Sequence, residues 1–268
     1  MAASTFFTSF GMDQNPDQYL FSGIHFLYIA LCIIGFFILM KLFLPRSAKT
    51  KKRFIMILLV LMLLQKYGGE VIFISEYLKY GTTISSFSHP LWDFRTLISF
   101  QLCGVNNILL PIVYWFNIKR MKDFVYTTSI IGGIAVLLYP VGVLYGEPLV
   151  LTYLMLRSLI VHFLLVFIPC FLIADRQFTL EGKNWKNTLY GAILMAVWSM
   201  IGNIFIDPTA NNMYMMENPF YGGPIPILNI IPNGWHMIPQ TILLVVGFWV
   251  VYQITFLYQR HRDKIKTA

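Results

Sequence analysis

Charge is what this chain has least of. Only 12% of its 268 residues are Asp, Glu, Lys or Arg, about half the share of a water-soluble domain. With 57% of the residues apolar, a soluble fold of this length would carry more apolar surface than it could hide, so lipid is the solvent for most of the chain. Zinc-ligand spacing, a glycine-rich phosphate loop and an internal repeat are also missing, and no metal or cofactor is expected. Cys32 and Cys170 read as small hydrophobes, and the methionines of the second and sixth apolar runs as core filler.

Acidic residues are scarcer than basic ones, 12 against 20. In a soluble protein that balance would suggest nucleic acid. Here its distribution excludes that reading, because fifteen of the twenty basic residues fall in alternate loops. They are Arg46, Lys49, Lys51, Lys52 and Arg53; Lys119, Arg120 and Lys122; Arg176, Lys183 and Lys186; and Arg260, Arg262, Lys264 and Lys266. The intervening segments hold Asp13, Asp17, Glu76, Glu147, Asp207 and Glu217 against Lys79. The rule that Lys and Arg stay in the cytoplasm then places the N-terminus outside and requires an odd number of crossings.

The expected fold is an all-α polytopic membrane protein, a seven-helix transmembrane bundle with its C-terminus cytoplasmic. It forms one integral domain, 1–268, in the cell membrane. The spans fall at about 24–44, 54–74, 94–116, 124–145, 149–174, 189–206 and 235–258. Continuous runs of this length exclude the alternation of barrel strands. Asp13 and Asp17 precede the first run, the wrong charge order for a signal peptide, so it reads as a retained helix. Gly132, Gly133 and Gly142 read as close-packing points or bends. The Pro- and Gly-rich segment 207–234, with Pro208, Pro219, Pro224, Pro226 and Pro232, is expected to form an ordered cap or a partly re-entrant segment. His25, His89, His236, Trp92 and Trp235 read as residues of the outer interface.

A charge in hydrocarbon costs several kcal/mol unless it is paired or hydrated, so intramembrane polar groups point to a cavity. Lys66 and Glu70 lie four residues apart and can pair. Gln101, Cys103, Asn106 and Asn107 fall at similar depth on the third span, Arg157, Ser158 and His162 on the fifth, Asn203 on the sixth, and His236 and Gln240 on the seventh. All lie between the midplane and the outer surface, while the cytoplasmic half reads as almost wholly apolar. Cys103 and His162 are the minimum set for nucleophilic acyl chemistry, in which the imidazole takes the thiol proton and the thiolate attacks a carbonyl. Asn106, Asn107 or Gln101 would supply oxyanion donors, and Arg157 suits a lipid phosphate. Lys66, Glu70, Asn203 and Gln240 complete the candidate substrate-binding set.

The run 99–111, Ser-Phe-Gln-Leu-Cys-Gly-Val-Asn-Asn-Ile-Leu-Leu-Pro, resembles the third-span motif of the YwaF-like integral membrane family. Gly132-Gly133 and Pro140, Val161-His162-Phe163, Asn211-Asn212-Met213-Tyr214-Met215 and Asn218-Pro219 extend the likeness over about residues 54–258. The resemblance implies kinship with an animal acyltransferase that moves fatty acyl chains between phospholipids and depends on an intramembrane cysteine and histidine, matched here by Cys103 and His162. Two positions depart from the pattern: Gln101 stands where many relatives have histidine, and Asn211-Asn212 where Asn-Tyr is common. The expected function is therefore a cysteine-histidine lipid acyltransferase or thioester-forming hydrolase acting on phospholipid esters from the outer leaflet. The alternatives are a non-enzymatic binder or transporter of an anionic or amphipathic ligand, or a structural membrane subunit. The expected partner is a membrane phospholipid, with no nucleic acid.

Overall fold

A computed structural model describes residues 6–7, 19–80, 98–140, 149, 151–208, 210–223 and 225–267. Asp13, Asp17, His89, Trp92, Gly142, Glu147 and Pro224 lie outside the described residues, as do parts of the predicted third, fourth and fifth spans.

The described chain is all-α. Seven main helices run α1 Gly23–Phe43, α2 Ala48–Tyr80, α3 Leu102–Trp115, α4 Lys119–Leu138, α5 Tyr153–Ala174, α6 Trp185–Ile201 and α7 Met237–Thr267. Six helical segments are long and apolar enough to cross a membrane, and α3 is a shorter apolar helix. Phe26, Leu31, Phe37, Leu194, Val245 and Trp249 are all more than half exposed. Such apolar surface on α1, α6 and α7 is tolerable only against lipid.

Each helix boundary has a local cause. Ser22 caps α1 by accepting the His25 N–H, and Thr152 caps α5 by accepting that of Met155. Pro140 disfavours helical backbone at Tyr139, whose ψ of 81° ends α4 at Leu138; residues 141–145 of the predicted span lie outside the described residues. Helix α2 begins earlier than the predicted second span, and Lys49, Lys51, Lys52 and Arg53 form its first turns instead of a loop. Helix α6 begins at Trp185 and ends in a π-turn over Gly202–Ile206.

The largest difference is at α3, predicted from 94 but helical only from Leu102. Its 14 residues reach about 21 Å, short of the roughly 30 Å hydrocarbon core. The chain before it is held away from helical geometry by α6. Ser199 Oγ donates to the Phe100 carbonyl at 2.6 Å, and the Trp198 indole N–H donates to the Ser99 carbonyl at 3.0 Å. The Phe100 and Trp198 rings stack at 4.8 Å.

The core joins α2, α3, α4 and α5 through Ile55, Leu59, Met62, Leu110, Val125 and Leu165, all fully buried. Close approach occurs at glycines. A Cβ at Gly133 would lie 2.8 Å from the His162 carbonyl oxygen, and one at Gly132 would lie 3.2 Å from Cys103 Sγ.

Two histidines expected at the interface are interior instead. His25 is 1% exposed and reaches the Leu137 carbonyl at 3.0 Å, tying α1 to the end of α4. His236 is 3% exposed and holds the Tyr214 carbonyl at 2.9 Å. Trp235 is exposed, as an interfacial residue would be. The basic half of the bundle is not apolar either. Asp123, Thr127, Thr128 and Ser129 are buried there, because α4 turns its polar face inward against its neighbours.

Candidate functional site

At the end of the bundle opposite the basic loops, α2, α3 and α5 enclose a cavity of about 200 Å³ lined by Lys66, Glu70, Asn107, Arg157 and His162, with Ser99 and Gly104. These come from two helical faces of i,i+4 spacing, Lys66–Glu70 and Ser158–His162, and from the first turns of α3. Lys66 is buried and pairs with Glu70 at 3.2 Å. Arg157 lies across Gly69, where a Cβ would overlap its guanidinium, and over the Phe73 ring at 5.8 Å. No carboxylate among the described residues pairs with Arg157. A cation so placed favours an anion in the cavity.

His162 is held in one tautomer. Its Nδ1 lies 2.7 Å from the Ser158 carbonyl oxygen and 3.3 Å from Ser158 Oγ. A carbonyl can only accept, so Nδ1 carries the proton and Nε2 keeps its lone pair. Nε2 has no partner among the described residues, which is the arrangement a general base requires.

Cys103 stands in the first turn of α3, one residue before the cavity-lining Gly104. Its Sγ packs toward Gly132 of α4, and no hydrogen bond joins it to His162. The N-cap residue of α3 is Gln101, whose side chain makes no capping bond to the helix. The first turn of α3 therefore has no side-chain cap from its N-cap residue. This turn places Cys103 at the positive end of the helix dipole, where first-turn N–H groups are candidate oxyanion donors. The apolar run itself does not mark a helix that starts at 102. The closely spaced polar residues Ser99 and Gln101 were its one local signal, and the Gln101 N–H does turn back to Ser99 Oγ at 3.2 Å.

The remaining candidates serve a cap. Gln101 Oε1 accepts the Met213 N–H at 2.6 Å, and Gln240 Nε2 donates to the Met213 carbonyl at 2.6 Å. Asn203 Oδ1 accepts from both the backbone and side-chain nitrogens of Asn212 at 2.8 Å. Together they clamp residues 211–214, where Met213 and Tyr214 have φ of 52° and 53°. Left-handed backbone at two adjacent non-glycine residues costs about 1–2 kcal/mol each, so it persists only under such restraint. Beyond it, Asn218 Nδ2 donates to the Leu228 and Ile231 carbonyls at 2.8 Å, and Asn218 Oδ1 accepts the Phe220 N–H at 2.9 Å, folding 207–234 into an ordered cap. Asn106 points elsewhere, its Nδ2 donating to Thr128 Oγ1 in the core at 3.1 Å. The sequence-predicted set therefore divides in three. Lys66, Glu70, Asn107, Arg157 and His162 share the cavity; Cys103 adjoins it; and Gln101, Asn106, Asn203 and Gln240 are engaged in holding backbone or core.

Fold and site define a multi-pass all-α protein of the cell membrane with a polar cavity inside one half of its bundle. Residues 20–258 match the model of the TMEM164 family, and the chain belongs to that family. This corrects the YwaF-like resemblance read from the 99–111 run and its companion motifs: those motifs are short stretches of an apolar chain, whereas the TMEM164 match is continuous over nearly the whole length. The match carries no evidence of homology to the animal acyltransferase. No curated protein and no solved structure matches the chain.

Proposed function

We propose that this protein binds a phospholipid of the outer leaflet and transfers an acyl chain from it through Cys103. The observation that supports the reading is a cavity-lining histidine whose Nε2 lone pair is left free by the Nδ1–Ser158 bond, with Cys103 in the first turn of α3, next in sequence to the cavity-lining Gly104. Arg157, without a carboxylate partner among the described residues, would take the lipid phosphate.

In the reaction, His162 Nε2 removes the Cys103 proton and the thiolate attacks the ester carbonyl. The oxyanion draws on first-turn N–H groups of α3 and on Asn107. Collapse breaks the ester C–O bond, and His162 returns its proton to the departing lysophospholipid alcohol. An acyl-thioester at Cys103 remains. A second alcohol, deprotonated by His162, attacks the thioester, forms the new ester and restores the thiol. The resting thiol packs toward Gly132, so substrate entry must draw it toward the cavity. The same proposal places seven crossings in the membrane, counting α3, with the N-terminus outside and the basic loops cytoplasmic.

Purified protein in liposomes, given a labelled phospholipid donor and a lysophospholipid acceptor, tests the reaction. Transfer should fall by a factor of roughly 10² to 10⁴ in His162→Gln and vanish in Cys103→Ala, while Arg157→Gln should mainly raise KM. Transfer that survives Cys103→Ala would refute the proposal. The absence of a Cys103–His162 hydrogen bond favours one alternative, a lipid-binding protein without covalent chemistry. That reading predicts donor binding sensitive to Arg157→Gln and no transfer by the wild type.

A further inference from the structure

A second cavity lies at the other end of the bundle, at the basic loops, and has no part in the chemistry above. It measures about 910 Å³ and is bounded by the start of α2, the end of α3, the start of α4 and the end of α5. Between it and the Arg157 cavity lie the fully buried apolar residues Ile55, Leu59, Met62 and Leu165. Lys52 and Lys66 mark the two cavities on α2, about 21 Å apart.

Three ammonium groups, Lys51, Lys52 and Lys122, line this cavity against the single carboxylate of Asp175. Asp175 is already satisfied, since Lys51 pairs with one of its oxygens and Gln177 Nε2 donates to the other at 2.6 Å. Lys122 donates only to the neutral Asn117 Oδ1, at 2.7 Å, and Lys52 has no partner among the described residues. A fourth donor is unspent. Tyr126 is 1% exposed, lines the cavity, and its hydroxyl has no hydrogen-bond partner. A buried hydroxyl without a partner is costly, and Lys52, exposed, and Lys122, half-buried, give the cavity beside it a positive lining that favours an anion.

The remaining wall says which anion. Met56, Trp115 and Leu172 are apolar, and the Trp115 ring, 39% exposed, donates its N–H to Met56 Sδ at 3.0 Å. A partly exposed tryptophan at a helix end beside lysines is the arrangement of a membrane interface. Free phosphate would leave most of the volume and the apolar wall unused, whereas a phosphate-bearing lipid headgroup with its glycerol would use both. The geometry points to a second lipid site, in which Lys52, Lys122 and Tyr126 bind the headgroup of an anionic phospholipid at the basic face.

Native mass spectrometry of the full chain in detergent, titrated separately with phosphatidylglycerol, phosphatidylcholine and inorganic phosphate, tests this. Phosphatidylglycerol should bind at least tenfold more tightly than the other two. Each lysine at a lipid surface contributes about fivefold, so Lys52→Gln with Lys122→Gln should weaken phosphatidylglycerol binding roughly 30-fold. Tyr126→Phe, which preserves the buried ring and the fold, should weaken it roughly tenfold, and it decides the matter if the double variant does not fold. In an Arg157→Gln background, which removes the cation of the other cavity, the losses caused by Lys52→Gln with Lys122→Gln and by Tyr126→Phe should persist. Equal binding of the two lipids, phosphate binding as tight as phosphatidylglycerol, retention of affinity in Tyr126→Phe, or a loss confined to Arg157→Gln would each overturn the inference.

Discussion

Alanine at Gly133 should destabilise the protein while alanine at Gly247 should not. Both glycines lie inside helices, α4 and α7, so each substitution gains about 1 kcal/mol of helix propensity. Their surroundings differ. A Cβ at Gly133 would lie 2.6 Å from Val166 Cγ2 and 2.8 Å from the His162 carbonyl oxygen, closer than real contacts allow, and the second neighbour is backbone. The nearest atom to a Cβ at Gly247 is Ile131 Cδ1 at 3.5 Å, an ordinary contact. Overpacking a tight interface costs about 1–3 kcal/mol, so Gly133→Ala falls between neutral and about 2 kcal/mol destabilising, and Gly247→Ala is about 1 kcal/mol stabilising. At about 2–4 °C per kcal/mol for a chain of this size, the two variants should differ by several degrees in thermal midpoint in the same detergent. Equal midpoints, or a more stable Gly133→Ala, would mean that α4 and α5 are not packed as described. The position of His162 over Gly133 would then be wrong as well.

Three further outcomes follow from the same contacts. Gly132→Ala, whose Cβ would sit 3.2 Å from the side-chain Sγ of Cys103, should leave the midpoint nearly unchanged but raise the rate of maleimide modification at Cys103 by displacing the thiol. Gln101→Leu strands the Met213 N–H at a cost of about 1–3 kcal/mol, and hydrogen exchange should speed up over 211–215 before it does in the helices. Asn218→Ala removes the partner of the Leu228 and Ile231 carbonyls, so limited proteolysis should begin within 219–231.

Much of the fold is legible in the sequence because lipid imposes a simple rule. A long apolar run must become a helix, and the helices α1, α2 and α4 to α7 lie where such runs occur. Spacing also foretells the Lys66–Glu70 pair and the shared face of Ser158 and His162, since four residues is one helical turn. The start of α3 is not legible. Residues 94–116 read as one run, and what ends the helix at Leu102 is the pair of bonds from Trp198 and Ser199, almost a hundred positions away. Depth alone likewise makes Gln101, Asn203 and Gln240 look like cavity residues. Only the folded cap shows that their side chains are occupied by Met213 and Asn212. The polar face of α4 escapes notice because Asp123, Thr127, Thr128 and Ser129 adjoin a basic loop and read as its margin.

The central claim is that Cys103, in the open first turn of α3, becomes acylated with His162 as base. Intact-protein mass spectrometry after incubation with a phospholipid carrying a labelled acyl chain measures this directly. The wild type should gain the mass of one acyl group, removable by hydroxylamine as a thioester. His162→Gln should gain it far more slowly, and Cys103→Ala should not gain it at all. An active preparation that never acquires the label, or equal labelling of Cys103→Ala, would contradict the account.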